Sequence, residues 1–161
     1  GLMVTHDPEE AMSICNKVAV MNEGEIHQID TPINLLNNPK TIFVSSFILG
    51  NNILNLQKND NTYMSCLCEI NSSDLLNNSN IKSMSISPKF ISIKRSKSGN
   101  AIVISKEFLG DFLIYKVSIN EEILRVRTDI NNQLNNGDKC SLSINKNSYY
   151  FLYPGAQKVY I

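Results

Sequence analysis

The chain has 161 residues, with 15 Lys and Arg against 15 Asp and Glu, two His, four Cys and no Trp. This length suits one ordinary domain, or a small domain joined to a piece of another, and it can bury a core without disulfides or metal. The formal net charge of zero argues against a general binder of nucleic acid or anionic membranes. The longest apolar runs fall far short of the roughly 18 residues that span a bilayer, so we expect no direct membrane insertion and no export.

The first 31 residues predict a strand, a helix and a hairpin. The run Leu2–Thr5 is typical of a short strand, and Asp7 followed by a proline is typical of a helix start. Glu10 stands at the capping-box position, and we expect the helix to run to residue 15 or 16. Two strands, 18–21 and 26–29, then flank a tight turn. These elements resemble the tail of an α/β domain more than a whole one, because such a sheet needs more strands.

Two short helices and then a strand-rich region are predicted after residue 31. Thr31 and Pro32 repeat the cap-and-proline helix start, which predicts a short helix through about residue 37 that 38–39 interrupts. A second helix over 41–49 ends at Gly50, with Phe43, Val44, Phe47 and Ile48 on one face. Beyond Gly50 the apolar period changes to two, which predicts a small antiparallel barrel or sandwich. The candidate strands are 52–57, 63–70, 82–86, 90–94, 101–108, 112–120, 123–128, 140–145 and 148–152. A loop with one helical turn is predicted over 72–80.

Several stretches, in chain order, resemble parts of one protein family. Residues 2–12 and 18–26, with Thr31-Pro32, are similar to the last part of ABC transporter ATP-binding subunits: the switch-histidine strand, a helix and a closing hairpin. Residues 38–39 and 43–52 resemble the join found in importers of polyamines, ferric iron, sugars and similar solutes. Further along, the TOBE (transport-associated OB) domain of those subunits is resembled by 87–88, 107–111 and 115–117.

This resemblance implies a mixed fold. The C-terminal remnant of an α/β P-loop NTPase (ABC) domain would be followed by a mainly β, OB-like antiparallel barrel. The corresponding boundaries are 1–31 for the end of the ATPase domain, 32–50 for a helical join and 51–161 for the TOBE-like domain.

His6 is the candidate catalytic residue. In the family that the chain resembles, this histidine reaches the γ-phosphate of ATP, where a ring nitrogen can orient the attacking water. The sequence contains no G-x-x-x-x-G-K-[ST] phosphate loop, Walker B carboxylate, Q-loop or signature segment. We therefore expect the chain to be the C-terminal part of a longer subunit that binds ATP and Mg²⁺, and not to hydrolyse ATP alone. The alternative for His6 is a helix-flanking residue with no task.

The resemblance also implies partners and a location. Two ATP-binding subunits would form a homodimer around ATP and drive membrane permease subunits from the cytoplasmic face of the inner membrane, without binding nucleic acid. An alternative is a stand-alone regulatory or small-ligand-binding OB-like module. A third hypothesis, an OB-fold nucleic-acid binder, is disfavoured by the neutral charge. The motifs lean towards the polyamine or iron type of importer, without identifying the solute.

The remaining chemistry-bearing residues are interpreted as structural. His27 is expected at the surface or half-buried, without a ligand. The six basic residues between 81 and 106, and Arg125 with Arg127, predict solvated or interface positions more than an anion site, and the aromatic run 149–153 predicts core packing. Two cysteines are assigned to one face of a strand, and all four are expected to be free thiols and not metal ligands; they are Cys15, Cys66, Cys68 and Cys140.

Overall fold

The computed structural model describes residues 1–75 and 80–161. Its α-helices all lie in the first 50 residues of this described part, together with one antiparallel hairpin. The helices are α1 (Pro8–Ile14), α2 (Pro32–Asn37) and α3 (Ile42–Leu49), and the hairpin strands are β1 (Val18–Asn22) and β2 (Glu25–Asp30). No helix among the described residues is both long enough and apolar enough to cross a membrane.

Each helix begins at a side-chain cap, and the sequence predicts the first two of the three. Asp7, Thr31 and Thr41 each accept backbone N–H groups from the first turn of the helix that follows. Gly50 ends α3 in the left-handed conformation, with φ of 62°, which a residue without Cβ adopts readily. These starts and stops depend on local hydrogen bonds, so the three predicted helices are confirmed within a residue or two.

The predicted strand at Leu2–Thr5 is wrong. These residues have no regular structure, and the side chains of Leu2 and Val4 are 94% and 92% exposed. A strand exists only where a neighbour accepts and donates its backbone hydrogen bonds, and no described residue does so here. The β1–β2 hairpin does form, closed by Glu23 and Gly24, which both have positive φ as a type I′ turn requires.

A small apolar cluster holds the hairpin and the helices together. Its buried members are Val20 on β1, Leu35 on α2 and Val44 on α3, with Met12 of α1 packed against them. The face predicted for α3 is only partly correct, because Phe47 is 43% exposed whereas Ser45 is buried. The helix turns this serine, and not the phenylalanine, towards the strands behind it.

The β region consists of antiparallel sheets. The described strands form a five-stranded sheet of order β11-β10-β9-β12-β8, a four-stranded sheet of order β14-β13-β7-β3 and a three-stranded sheet of order β4-β5-β6. Their bounds are β3 (Asn52–Asn55), β4 (Gln57–Asn59), β5 (Thr62–Met64), β6 (Glu69–Asn71), β7 (Ser83–Ile86), β8 (Ile91–Arg95), β9 (Ala101–Phe108), β10 (Phe112–Ile119), β11 (Glu122–Asp129), β12 (Lys139–Ile144), β13 (Tyr149–Tyr153) and β14 (Gln157–Tyr160).

One core lies between the two larger sheets. Alternate residues of β9, β10 and β11 face it from one side, and those of β7 and β13 face it from the other. Large, fully buried side chains in it include Tyr115, Met84, Leu124 and Leu152. The mainly β, antiparallel prediction is therefore confirmed, while the described strands form open sheets in place of one closed ring of backbone hydrogen bonds.

The largest departure from the predicted strands concerns 63–70. This stretch is a hairpin of β5 and β6, and Ser65 makes the turn by accepting the N–H groups of Leu67 and Cys68. β4 and β14 were not predicted as separate strands. The helical turn expected over 72–80 is present as a 3-10 turn at Ser72–Asp74, and residues 76–79 of that prediction lie outside the described residues.

Candidate functional site

His6 lies in a bend immediately before α1, and neighbouring polar side chains build that bend. Asp7 accepts the N–H groups of Glu9 and Glu10 at 2.9 and 3.3 Å. Thr5 accepts the N–H of Asp7 at 3.1 Å and donates its own hydroxyl to Glu10 at 2.7 Å. The capping-box carboxylate therefore supports the helix start through Thr5 and not by the direct bond that the pattern predicts. The assignment of Asp7 to helix capping is confirmed.

The imidazole of His6 is exposed and makes no hydrogen bond or ion pair with any residue that the structure describes. Thr5, Asp7 and Glu10 satisfy one another, so they leave the ring nitrogens to solvent. A neutral imidazole offers one donor and one acceptor, which suits contact with an incoming oxygen ligand. Its role as a switch histidine stays a prediction.

His27 is half-buried, as predicted, and its surroundings explain the position. Its Nδ1 lies 3.1 Å from the hydroxyl of Thr41, and its ring centroid lies 4.9 Å from that of Phe43. The ring therefore packs β2 against the start of α3.

The outer face of the β1–β2 hairpin is apolar and exposed. Met21 pairs with Ile26 across the strands, and their side chains are 56% and 55% exposed. Ile29 adds a third apolar side chain to this hairpin face at 53% exposure. Adjacent apolar side chains left open to solvent mark surfaces that pack against other protein.

Two consecutive asparagines after Gly50 connect the helices to the β region. Asn51 donates its side-chain amide to the hydroxyls of Ser45 and Ser85, at 3.2 and 3.1 Å, and these two serines are hydrogen-bonded to each other. Asn52 binds the backbone of Arg125 on the far sheet. The pair that resembled an importer join in the sequence thus forms the junction between α3 and both large sheets.

The basic residues predicted to face solvent are exposed; they are Lys82, Lys89, Lys94, Arg95, Lys97 and Lys106. Arg95 forms an ion pair with Asp138 at 2.6 Å, and both side chains retain solvent contact. Arg127 stacks its guanidinium on the Phe112 ring, 3.8 Å from the ring centroid. An open groove of about 500 Å³ borders this region, lined by Lys106 and Phe108 of β9 and by the loop that follows β11.

The four cysteines are free thiols. Cys66 and Cys68 lie in the turn between β5 and β6, so their prediction on one face of a strand is wrong. The Cys66 thiol donates to the carboxylate of Glu122 at 3.0 Å, and burial, with that carboxylate, raises the pKa of Cys66 to about 12. The described residues contain no group of three or more His, Cys, Asp or Glu side chains arranged to hold a metal ion.

Comparison with known proteins adds a partial match. The chain is 55% identical over 53 residues to the spermidine/putrescine import ATP-binding protein PotA of Bacillus anthracis, a stretch covering 33% of this chain and 16% of that protein. It is 53% identical over 53 residues to the proteins of the same name from Desulfitobacterium hafniense and Mesoplasma florum, covering 33% of this chain and 15% of each. The resemblance to ABC importer ATP-binding subunits is thereby confirmed for a third of the chain.

The matched stretch spans about a sixth of the length of these importer subunits. No family model matches the chain. The importer-like motifs in the sequence did not reveal the buried polar side chains that join the helices to the sheets. The sequence signal available for them was a serine or glutamine set among apolar residues. Gln28, Ser45 and Ser85 are the examples, and each is at most 3% exposed in the structure.

Proposed function

We propose that this chain is part of the ATP-binding subunit of an ABC importer and serves uptake of a polyamine of the spermidine/putrescine class. The observation that carries the proposal is the 53-residue match, at 55% identity, to the import ATP-binding protein of Bacillus anthracis. The subunit would act as a homodimer with membrane permease subunits, at the cytoplasmic face of the membrane. Hydrolysis of ATP with Mg²⁺ would drive transport by that complex.

Within this proposal, residues 1–31 end the ATPase domain, 32–50 form the helical join and 51–161 form the TOBE-like domain. His6 is the residue of this chain that senses the γ-phosphate. Its exposed ring, free of hydrogen bonds to described residues, supports that role. A ring nitrogen can then bond a terminal phosphate oxygen and help to orient the attacking water.

The exposed apolar face of the β1–β2 hairpin supports the same proposal. Met21, Ile26 and Ile29 are each more than half exposed, although they occupy adjacent positions on a sheet. Leu2 and Val4 are almost fully exposed in the segment that leads to His6. Burying these side chains against an ATPase core would stabilise the assembly by about 1.5 to 3 kcal/mol for each fully buried one.

The residues described here do not form a complete ATP·Mg²⁺ site. The sequence has no glycine-rich loop with a lysine for the phosphates. The described residues contain no cluster of carboxylates suited to Mg²⁺. We therefore propose that the chain contributes His6 and the β region to a subunit whose nucleotide is held by other segments, and that the 161-residue chain alone does not hydrolyse ATP.

A chimera tests the proposal. The corresponding C-terminal stretch of the Bacillus anthracis protein is replaced by this chain, and ATPase activity and spermidine uptake are measured with the permease subunits present. We expect both activities to be restored and the His6→Ala chimera to lose at least tenfold in ATPase rate. His27→Ala is the matched control. His27 packs on Phe43, so its substitution should leave the ATPase rate within about threefold of the parent chimera. Equal rates for the parent and His6→Ala chimeras would remove His6 from the mechanism.

Calorimetry of the chain alone completes the test. Titration with Mg·ATP should give no detectable heat of binding, because the phosphate loop is missing from the sequence. A micromolar dissociation constant would show that the chain carries a nucleotide site of a different kind. Failure of the chimera to restore uptake would instead favour the stand-alone regulatory module.

A further inference from the structure

The loop between α2 and α3 is hydrogen-bonded on two sides by buried side chains. Gln28 of β2, 3% exposed, accepts the N–H of Lys40 at 2.8 Å and donates to the carbonyl of Asn38 at 3.1 Å. Tyr153 of β13, also 3% exposed, donates its hydroxyl to the carbonyl of Pro39 at 2.7 Å. Three consecutive residues, Asn38–Lys40, therefore have backbone groups bonded by side chains from two separate sheets. This loop is named the coupling segment.

The two side chains that bond the coupling segment, Gln28 and Tyr153, belong to different parts of the molecule. Gln28 lies on the hairpin that precedes the helices, whereas Tyr153 lies 114 residues beyond Pro39, in the four-stranded sheet. Loss of a hydrogen bond to a buried backbone group costs more free energy than loss of one to an exposed group, because no water replaces the missing partner. Movement of the four-stranded sheet relative to the coupling segment would break the buried Tyr153 bond, and movement of the hairpin would break the two part-buried Gln28 bonds.

A second polar contact fixes the same join to the same sheet. Ser45 of α3 and Ser85 of β7 are both 0% exposed and are hydrogen-bonded through their hydroxyls. Asn51 donates to both of them and so binds the end of the join to the sheet. The helical join is consequently attached to the four-stranded sheet at its middle, through Pro39, and near its end.

We propose that the coupling segment makes the β1–β2 hairpin, the helical join and the four-stranded sheet move as one rigid unit. The apolar cluster then connects this unit to α1, because Met12 packs against Val20, Leu35 and Val44. α1 begins two residues after His6. Displacement of the β region would in this way reach the switch histidine, a consequence that rests on the proposed function, whereas the rigidity itself does not.

Amide hydrogen exchange of the whole chain, followed by NMR, tests the coupling. The reporter is the amide of Lys40, which is bonded to Gln28 on the hairpin side. Tyr153→Phe removes only the hydroxyl on the opposite side, and we expect it to accelerate exchange of the Lys40 amide about tenfold. The amide of Val117, inside the five-stranded sheet, reports global unfolding, so its exchange gives the overall loss of stability against which the change at Lys40 is compared. Tyr160→Phe is the matched control, since Tyr160 is 73% exposed.

A double-mutant cycle gives a second readout. Gln28→Met keeps the length of the side chain but removes both of its bonds to the segment, and Gln57→Met on exposed β4 is its control. Each single variant, Tyr153→Phe or Gln28→Met, should lower the folding equilibrium constant about tenfold. Loss of one contact loosens the segment and weakens the other contact. The folding equilibrium constant of the double variant should therefore fall by a factor at least threefold smaller than the product of the two single-variant factors.

Two results would overturn the coupling. One is a Lys40 amide whose exchange is unchanged by Tyr153→Phe, and the other is a double variant that equals the product of the singles within about twofold. No nucleotide enters these measurements, so their failure leaves the proposed function standing. Conversely, an inactive chimera would leave the rigid unit intact as a finding about the chain.

Discussion

Asn52 binds both backbone polar groups of Arg125 with its one side-chain amide. Its Nδ2 donates to the Arg125 carbonyl at 2.8 Å, and its Oδ1 accepts the Arg125 N–H at 2.8 Å. Asn52 lies on β3 and Arg125 on β11, which are edge strands of the two large sheets. The amide therefore occupies the place of a neighbouring strand, and it links two open sheets around the common core.

Asn52→Ala should destabilise the chain by roughly 2 to 4 kcal/mol, because two bonds are lost and the Arg125 groups lose their partners. Asn52 is 7% exposed, so water does not readily take its place. Urea unfolding followed by circular dichroism measures the change. Asn55→Ala is the control: it makes the same substitution at an exposed position on the same strand and should cost less than about 0.5 kcal/mol. Equal losses for the two variants would contradict the role of the amide.

Gly99 is expected to tolerate no side chain. A Cβ at this position would lie 2.0 Å from the carbonyl oxygen of Cys140 and 2.4 Å from its carbonyl carbon, both in the backbone of β12. Gly99→Ala should therefore cost about 1 to 3 kcal/mol or more, since the strand backbone must shift. Thermal unfolding of Gly99→Ala beside Ser98→Ala, an exposed position in the same turn, checks this. A melting temperature common to both variants would show that the turn has room.

The predicted elements that proved correct depend on neighbours in the sequence. Asp7, Thr31 and Thr41 cap helices through residues two or three positions away, and alternation marks strands such as Ala101–Phe108. The turn at Ser65–Cys68 escaped prediction because its residues are apolar enough to resemble a strand. There the serine hydroxyl competes for backbone N–H groups and bends the chain.

The candidate site was predictable only in part, for a different reason. His6 and its helix start could be identified from the local pattern. Tyr153 and Pro39 are joined across 114 residues, and neither residue type signals such a bond in the sequence. Asn52 and Arg125, 73 residues apart, are a second example, in which a surface-type residue becomes buried through one contact. Contacts of this kind depend on the tertiary fold, which no local pattern specifies.

Cys66 should react slowly with an alkylating reagent, since only the thiolate is nucleophilic. Burial and the Glu122 carboxylate raise its pKa to about 12, and burial also raises the pKa values of Cys68 and Cys140. We expect alkylation by iodoacetamide at mildly alkaline pH to be at least tenfold slower at Cys66 in the native chain than in concentrated urea. Mass spectrometry of the digested protein assigns the rate to each cysteine.

Glu122→Gln sharpens the test of that thiol. Removing the negative charge should lower the pKa of Cys66, and thus speed its alkylation, while Cys68 keeps its rate. The Asn55 N–H, which bonds the same carboxylate at 3.3 Å, still finds an oxygen acceptor in glutamine. A variant in which Cys66 and Cys68 accelerate together would point to local opening of the β5–β6 turn, and would contradict a specific effect of the Glu122 charge.

The chain should lose stability steadily as the pH rises from about 10 to 12, and two buried tyrosines contribute to this loss. Burial raises the pKa of Tyr150 and of Tyr153 from 10.0 to about 12 in each case. Between these values the unfolded chain has released both phenolic protons and the folded chain has not, so higher pH favours unfolding. The contribution is complete below the pKa of the unfolded chain and is lost as the pH rises through the pKa of the folded chain, at about 1.4 kcal/mol per pH unit for each tyrosine.

Urea midpoints measured across this range should fall less steeply for Tyr153→Phe than for the parent chain, because that variant lacks one of the two phenolic protons. Parallel slopes would show that the Tyr153 phenol ionises equally in both states, and would contradict the raised pKa that burial gives it in the folded chain.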